Sequence, residues 1–207
     1  MSVAFAPIVD NGTVGQLTQR VNGGETFDVL VLSPRGIDDY IKSGKIAAGS
    51  NALLAKVGVG VMVKEGAAKP DIASVEAFKQ ALLKAKSVGY IDPASGGSSG
   101  IYVAGLLDKL GIANEIKPKA KLQKGGHVSD LVKAGEAEIG IHQISEIVGQ
   151  KGVTLVGPLP APIQNFTTYA AGASTSAKDA EAAKAFIKVL TGPSAAGVLK
   201  SKGMEGA

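Results

Sequence analysis

Two apolar runs constrain the fold of this chain more than any other feature. The segments FDVLVLS at residues 27–33 and VGVGVMV at residues 57–63 carry few polar side chains, which is typical of strands buried on both faces. Such strands belong to parallel sheets that are covered by helices. Segments with apolar residues at helical spacing, such as SVEAFKQALLKA at residues 74–85, alternate with the apolar runs. The sequence therefore predicts an α/β architecture.

The composition excludes several kinds of site. The chain has no cysteine and two histidines among its 207 residues, so disulfides, thiolate metal centres and three-histidine metal centres are excluded, and we expect neither a metal nor a cofactor. The net charge is +4, and the densest basic run, KPKAKLQK at residues 117–124, lacks interleaved aromatic residues. We interpret this run as a solvated segment, and we expect no nucleic-acid partner.

Membrane and export signals are also missing from the sequence. No apolar run approaches the roughly 20 residues that a membrane-spanning helix needs. The first residues, MSVAFAPIVDNG, contain no basic leader and no long apolar segment before Asp10. As written, the chain is therefore expected to lack a signal peptide and to stay in the cytoplasm.

Two small-residue loops precede helical segments and favour anion binding. They are NGTVGQL at residues 11–17 and SGGSSGIY at residues 95–102. The first amides of a helix have no intrahelical partner and carry a partial positive charge, and glycine allows a ligand to approach them. The alternative is that Thr13, Ser98 and Ser99 only cap their helices. The presence of two such loops in one α/β chain favours binding of a small oxyanion.

Catalytic patterns are weak by comparison. Ser98, His142 and Asp92 could be drawn as a Ser–His–Asp arrangement, but no serine lies in a G-x-S-x-G turn. The chain has no Walker-type phosphate loop, and GVGVMVKEG at residues 58–66 lacks the dinucleotide-binding glycine spacing. His142 could line a cleft, or it could be a buried structural histidine. From these patterns we expect that the protein is not an enzyme.

Ordered motifs along nearly the whole chain resemble one known family. The segments at residues 11–33, 90–112, 131–146 and 181–204 are similar, in the same order, to the motifs of molybdate-like type II periplasmic solute-binding proteins of ABC importers. The segment LVKAGEAEIGIHQISE at residues 131–146 looks like the family's "V…GEADAGIVY" stretch. The segment that ends in VLKSKGM looks like the family's closing helices.

The resemblance implies a two-lobe type II fold in which each lobe is a mostly parallel sheet flanked by helices. Lobe 1 would comprise residues 1–85 plus 168–207, and lobe 2 residues 86–167. Family members close on a ligand between the lobes by hinge motion. The implied function is extracytoplasmic capture of a small anion, molybdate-like or an organic acid, for an ABC permease. The alternatives are a ligand-sensing effector domain of a regulator or an enzyme on the same scaffold.

The resemblance also implies which positions contact the ligand. With the loop interpretation it gives these ligand-binding positions: Gly12, Thr13, Val14, Ser98, Ser99, Gly100, His142 and Tyr169. His142 would contribute through its backbone and Tyr169 through its hydroxyl. The loop GGSSG is longer and more polar than the family's usual loop, and HQ at residues 142–143 replaces an apolar–aromatic pair. The additional donors suggest a ligand with more acceptors than a tetrahedral oxyanion, such as an organic acid.

The chain departs from the family at its start. Family members normally begin with a strand–helix unit, whereas this chain begins at what resembles the second strand, SVAFAPIV at residues 2–9. We therefore expect an N-terminally incomplete lobe 1, which either belongs to a longer protein or is completed by a partner in a homodimer, because unpaired strand edges are unfavourable. The resemblance implies a periplasmic location, in contrast to the expectation above that the chain as written lacks a signal peptide.

Overall fold

The computed structural model describes residues 7–207. The predicted first strand at residues 2–9 lies largely outside this range, and residues 7–9 form no regular secondary structure. The helices are α1 (Val14–Asn22), α2 (Pro34–Lys42), α3 (Val75–Lys84), α4 (Ser98–Lys109), α5 (Ala113–Ile116), α6 (Val128–Lys133), α7 (Ala180–Thr191) and α8 (Pro193–Ser201). The strands are β1 (Val29–Leu32), β2 (Ala52–Lys64), β3 (Val88–Ile91), β4 (Ala120–Gln123), β5 (Ile139–Gln143), β6 (Val153–Pro158), β7 (Phe166–Ala173) and β8 (Met204–Gly206). The predicted α/β architecture is confirmed.

The chain divides into two compact units. Unit 1 consists of the chain up to Ala55 together with Thr168–Leu199 and Glu205–Ala207. Unit 2 consists of Lys56–Thr167 and Lys200–Met204. Residues 56–85, which the sequence assigns to lobe 1, have their contacts in unit 2, where Phe78 and Leu82 of α3 pack in its core. The functional lobes with the boundaries given above stay a prediction.

Unit 1 is built on the antiparallel pair of β1 and β7, in which Leu30 lies opposite Gly172. Leu30, Leu32, Ile37 and Ile46 are buried together there. A Cβ atom on Gly172 would lie 2.6 Å from Cγ2 of Ile46, so this position of β7 accepts no larger residue without repacking. The apolar run at β1 thus forms a buried strand as predicted, although its described partner is antiparallel.

Unit 2 contains a mixed sheet. Strand β3 pairs in parallel with β4 and with β5, whereas β2 pairs antiparallel with β5 and with β6. Helices α3 and α4 pack on one face of the sheet, through residues such as Phe78 and Leu106. Helix α6 packs on the other face, where Val128 and Val132 contact Met62. Because β3, β4 and β5 run in the same direction, their carboxyl ends meet at one edge, where α/β proteins usually bind ligands.

Lys119 caps the C-terminal end of α3 with its side chain. Its Nζ donates hydrogen bonds to the backbone oxygens of Leu82, Leu83 and Ala85 at 2.9, 2.7 and 2.6 Å. These carbonyls belong to the last turn of the helix, where backbone oxygens have no intrahelical partner and a positive charge is favourable. One lysine of the basic run, interpreted above as solvated, therefore joins two elements of unit 2.

Replacing Lys119 by methionine is expected to lower the free energy of unfolding by about 1–3 kcal/mol, because part-buried carbonyls lose a charged donor. Urea unfolding followed by circular dichroism measures the change. The matched control is Lys121→Met, two residues away on an exposed position, which should change stability by less than about 0.5 kcal/mol. Equal losses in the two variants would contradict the capping role.

No helix in the described residues 7–207 is long and apolar enough to cross a membrane.

Candidate ligand-binding site

The start of α4 in unit 2 has no side-chain cap. Its N-cap residue is Gly97, which has no side chain to accept a hydrogen bond from the first turn. By contrast, Ser33, Ser74 and Asp179 accept a bond from the first-turn amides of α2, α3 and α7. The amides of the α4 first turn, at Ser98, Ser99 and Gly100, therefore remain donors for another acceptor. This arrangement suits a carboxylate or another oxyanion.

A close backbone contact fixes the position of this helix start. A Cβ atom built on Gly100 would lie 2.3 Å from the carbonyl oxygen of Ile91, the last residue of β3. Only glycine fits at that distance, because backbone atoms cannot move aside as a flexible side chain can. Within GGSSG, Gly100 therefore seats the start of α4 on the carboxyl end of β3.

Ser98 lies in a small cluster of neutral polar side chains. Gln143 Nε2 donates to Ser98 Oγ at 3.1 Å, and Ser98 Oγ lies 3.4 Å from Thr167 Oγ1. Because Ser98 Oγ accepts the bond from Gln143, its own proton is left for Thr167 or for a ligand. The sequence singled out Ser98 and noted the unusual Gln143, but it missed Thr167. Gln143 could be identified from the sequence because it follows the apolar residues of β5. No sequence pattern marks Thr167 as a site residue.

His142 is the penultimate residue of β5 and is 6% exposed. Its Nδ1 is buried and has no hydrogen-bond partner among the described residues. Burial, and secondarily the charge of nearby His127, lowers the pKa of His142 to about 4. The imidazole is therefore neutral at pH 7. Of the two alternatives that the sequence left open, the structure shows the buried histidine. The predicted backbone contact of His142 with a ligand stays a prediction.

The predicted positions in unit 1 lie on two elements. Thr13 caps α1: its Oγ1 accepts from the Gln16 amide at 3.2 Å, and its own amide donates to Gln16 Oε1 at 2.9 Å. This reciprocal pair is the capping alternative described above. Gly12 precedes the cap, Val14 begins the helix, and Tyr169 lies on β7. Ligand binding by these residues stays a prediction.

Within the described residues, no three His, Cys, Asp or Glu side chains are grouped so that they could hold a metal ion. The candidate site in unit 2 consists of the backbone amides at the start of α4, the hydroxyls of Ser98 and Thr167 and the side-chain amide of Gln143. Such a site binds an anion by hydrogen bonds without a neutralising cation.

Comparison with known proteins identifies the chain's relatives. Residues 8–205 match the family described as bacterial extracellular solute-binding protein. A protein from Pseudomonas sp. named aconitate isomerase is 31% identical over 206 residues, which cover 99% of this chain and 77% of the relative. The molybdate-binding protein of Azotobacter vinelandii is 28% identical over 208 residues, which cover 95% of this chain and 77% of the relative.

Solved structures confirm the predicted fold. The periplasmic molybdate-binding protein structure from Azotobacter vinelandii matches with a TM-score of 0.77 and 17% sequence identity, covering 95% of this chain and 86% of that one. The predicted two-lobe α/β fold is thereby confirmed. The family match and the molybdate-binding relative confirm the resemblance to molybdate-like type II solute-binding proteins.

The expectation that the protein is not an enzyme is wrong on these comparisons. The aconitate isomerase aligns with almost the whole chain at an identity that relates the two proteins. That expectation was based on two missing patterns, a nucleophile–base arrangement and a phosphate-binding loop. An isomerisation that only moves a proton requires neither of them, so their absence did not exclude catalysis.

Proposed function

The chain belongs to the bacterial extracellular solute-binding protein family, and from this premise we propose that it captures a small organic acid with two or three carboxylates for import by an ABC permease. The observation that carries the proposal is the uncapped start of α4 beside the Gln143–Ser98 hydrogen bond. One carboxylate accepts hydrogen bonds from the α4 amides and from the hydroxyl of Ser98. The site residues proposed are Gly12, Thr13, Val14 and Tyr169 in unit 1 and Ser98, Ser99, Gly100 and His142 in unit 2.

Two observations favour an organic acid over a tetrahedral oxyanion. The unit 2 site offers side-chain donors and acceptors, such as Gln143 and Thr167, in addition to the helix amides. A site with extra buried polar groups discriminates against ligands that leave those groups unpaired. In addition, a relative that aligns with 99% of the chain is named for aconitate, a tricarboxylic acid.

The family membership supports a proposal for where the protein works and which partner it has. We propose that the protein works outside the cytoplasm and delivers its ligand to a membrane permease. The homodimer expected from the sequence stays a prediction, for which neither the fold nor the comparisons give support.

A thermal-shift panel tests the proposal. The protein is heated with cis-aconitate, trans-aconitate, citrate, succinate, molybdate and sulfate, each at several concentrations. A ligand present at 100 times its dissociation constant stabilises the folded state by about 2.7 kcal/mol. We expect a concentration-dependent rise in Tm with at least one di- or tricarboxylate and a smaller rise with molybdate or sulfate. A rise with molybdate alone would contradict the organic-acid assignment, and no rise with any anion would contradict ligand capture.

A second candidate function is isomerisation of an unsaturated tricarboxylate such as aconitate. The similarity to a protein named aconitate isomerase favours it. Capture and isomerisation need the same recognition of carboxylates, so the thermal-shift panel applies to both. The two functions differ in whether the bound acid exchanges a carbon-bound proton.

A further inference from the structure

The dipeptide Asn–Gly occurs twice in the chain, at Asn11–Gly12 and at Asn22–Gly23. The two copies lie at opposite ends of α1. The first copy directly precedes the N-cap residue Thr13, and the second joins the last helical residue to the C-cap residue. All four residues of the two copies are exposed to solvent. The copies therefore match in sequence and in exposure, and they differ in backbone structure.

An asparagine that is followed by glycine can lose its side-chain amide without an enzyme. The backbone nitrogen of the glycine attacks the side-chain carbonyl carbon of the asparagine, and glycine obstructs this nitrogen least because it has no Cβ. A bond forms between these two atoms. The side-chain nitrogen leaves as ammonia and takes the proton of the backbone amide with it. The product is a cyclic imide in which the backbone and the side chain share one nitrogen.

Water then opens the imide ring. It adds to one of the two carbonyl carbons and breaks the bond from that carbon to the shared nitrogen, which takes up a proton. Opening at the side-chain carbonyl gives aspartate, and opening at the main-chain carbonyl gives isoaspartate, whose backbone runs through the former side chain. In total one water is consumed and one ammonia is released, and no atom is oxidised or reduced. In both products a carboxylate replaces a neutral amide.

The backbone at Asn11–Gly12 leaves this attack open. Residues 7–13 form no helix or strand. Among the described residues, the Gly12 backbone nitrogen and the Asn11 side chain have no hydrogen-bond partner. The preceding residue is fixed, because the Asp10 carboxylate pairs with Arg20 and accepts the backbone N–H of Asn11. These contacts do not hold the bond between Cα and the carbonyl carbon of Asn11, about which the chain rotates to bring the Gly12 nitrogen to the side chain.

Helix α1 blocks the same attack at Asn22–Gly23. The Gly23 backbone nitrogen donates to the backbone oxygen of Gln19 at 2.8 Å, and Gly23 has the helical angles φ −73° and ψ −1°. The side chain of Asn22 is held as well, since its Oδ1 accepts a hydrogen bond from the Tyr40 hydroxyl at 3.2 Å. The Gly23 nitrogen can therefore reach the Asn22 side chain only after the last turn of α1 has opened.

We propose that Asn11 is a site of spontaneous deamidation in the folded protein and that α1 protects Asn22 from the same reaction. The modification places a carboxylate one residue before the turn of Gly12, Thr13 and Val14. Its consequence for binding rests on the proposed function, in which this turn contacts an anionic ligand. A negative charge beside the turn repels a ligand carboxylate, so the modified molecules bind the ligand more weakly than the unmodified ones.

Tryptic peptide mapping of the full chain tests the assignment. Trypsin cleaves after Arg20 and Arg35 and places the two copies on separate peptides, residues 1–20 and 21–35. The folded protein is kept in a mildly alkaline buffer, and the deamidated fraction of each peptide is followed by mass spectrometry, with a zero-time sample as the blank. We expect conversion at Asn11 to be at least about tenfold faster than at Asn22, which corresponds to an opening free energy of about 1.4 kcal/mol.

The unfolded chain provides the control for the effect of structure. In concentrated guanidinium chloride the protection by α1 is lost, so we expect the two rates to agree within about threefold. The variant Asn11→Ser has no side-chain amide at this position, and its peptide 1–20 should stay unconverted there. Equal rates at Asn11 and Asn22 in the folded protein overturn the proposal. A tenfold difference that persists in the unfolded chain overturns the protective role of α1.

Calorimetric titration with trans-aconitate tests the consequence for binding. The variant Asn11→Asp carries the charge of the modified protein and is expected to bind at least about tenfold more weakly than wild type. The matched control Asn11→Gln keeps a neutral amide and should bind within about threefold of wild type. Equal affinities of Asn11→Asp and wild type overturn this consequence. If wild type binds no trans-aconitate, the consequence fails together with the proposed function, whereas the peptide map alone decides the assignment of Asn11.

Discussion

Replacing Ser98 by aspartate is expected to abolish binding of anionic ligands while leaving the fold intact. Ser98 begins α4, and its hydroxyl receives the bond from Gln143. A carboxylate there would lie about 4 Å from a ligand carboxylate, and two like charges at that distance repel by about 4 kcal/mol at a partly exposed site. This corresponds to a loss of affinity of about 1,000-fold. Calorimetric titration with the best carboxylate of the thermal-shift panel measures it.

The same substitution should not destabilise the protein. Aspartate in the first turn of a helix is favourable by about 0.3–1 kcal/mol, because it interacts with the partial positive charge there. Its carboxylate can also accept the bond from Gln143. The control Ser98→Asn keeps a neutral side chain of similar size and should lose less than about tenfold in affinity. Undiminished binding by Ser98→Asp would show that the ligand binds elsewhere.

Replacing Gly100 by alanine is expected to have the largest effect on stability. The new Cβ would lie 2.3 Å from the carbonyl oxygen of Ile91 and 2.9 Å from its carbonyl carbon. Since both contacts are to backbone, α4 and β3 must move apart, and we expect a loss of about 3 kcal/mol in the free energy of unfolding. The displacement also moves the amides that bind the carboxylate, so ligand affinity should fall with stability.

Gly105 provides the matched control on the same helix. A Cβ added to Gly105 meets no atom within 4 Å. Gly105→Ala should therefore be neutral or stabilising by about 0.5–1 kcal/mol, since alanine is the better helix former. Denaturant unfolding of the two variants measures the difference. Similar stabilities of Gly100→Ala and Gly105→Ala would contradict the close seating of α4 on β3.

The elements of the fold were largely predictable because they depend on local patterns. The apolar run at residues 27–33 contains β1, the run at residues 57–63 lies within β2, and the predicted helix at residues 74–85 is α3 with Ser74 as its cap. These patterns reflect burial and capping within a few residues. Strand direction was less predictable: β1 and β2 have antiparallel partners that arrive from distant parts of the chain.

The candidate site was predictable only in part. The glycine–serine loop before α4 identified Ser98, Ser99 and Gly100, because a helix start has known chemistry. By contrast, Thr167 reaches Ser98 from 69 residues away, and Lys119 reaches the end of α3 from 34–37 residues away. Contacts at such separations depend on tertiary packing. The unpaired Nδ1 of His142 could not be predicted for the same reason, since a sequence does not show which buried polar groups lack partners.

Titration of the wild-type protein with trans-aconitate in a calorimeter tests the central claim most directly. The claim is that the start of α4 and the cluster of Ser98 and Gln143 bind a small polycarboxylate. We predict saturable binding of one trans-aconitate per chain, which Ser98→Asp abolishes and Ser98→Asn retains. Absence of binding by the folded wild type, or equal binding by wild type and Ser98→Asp, would contradict the claim.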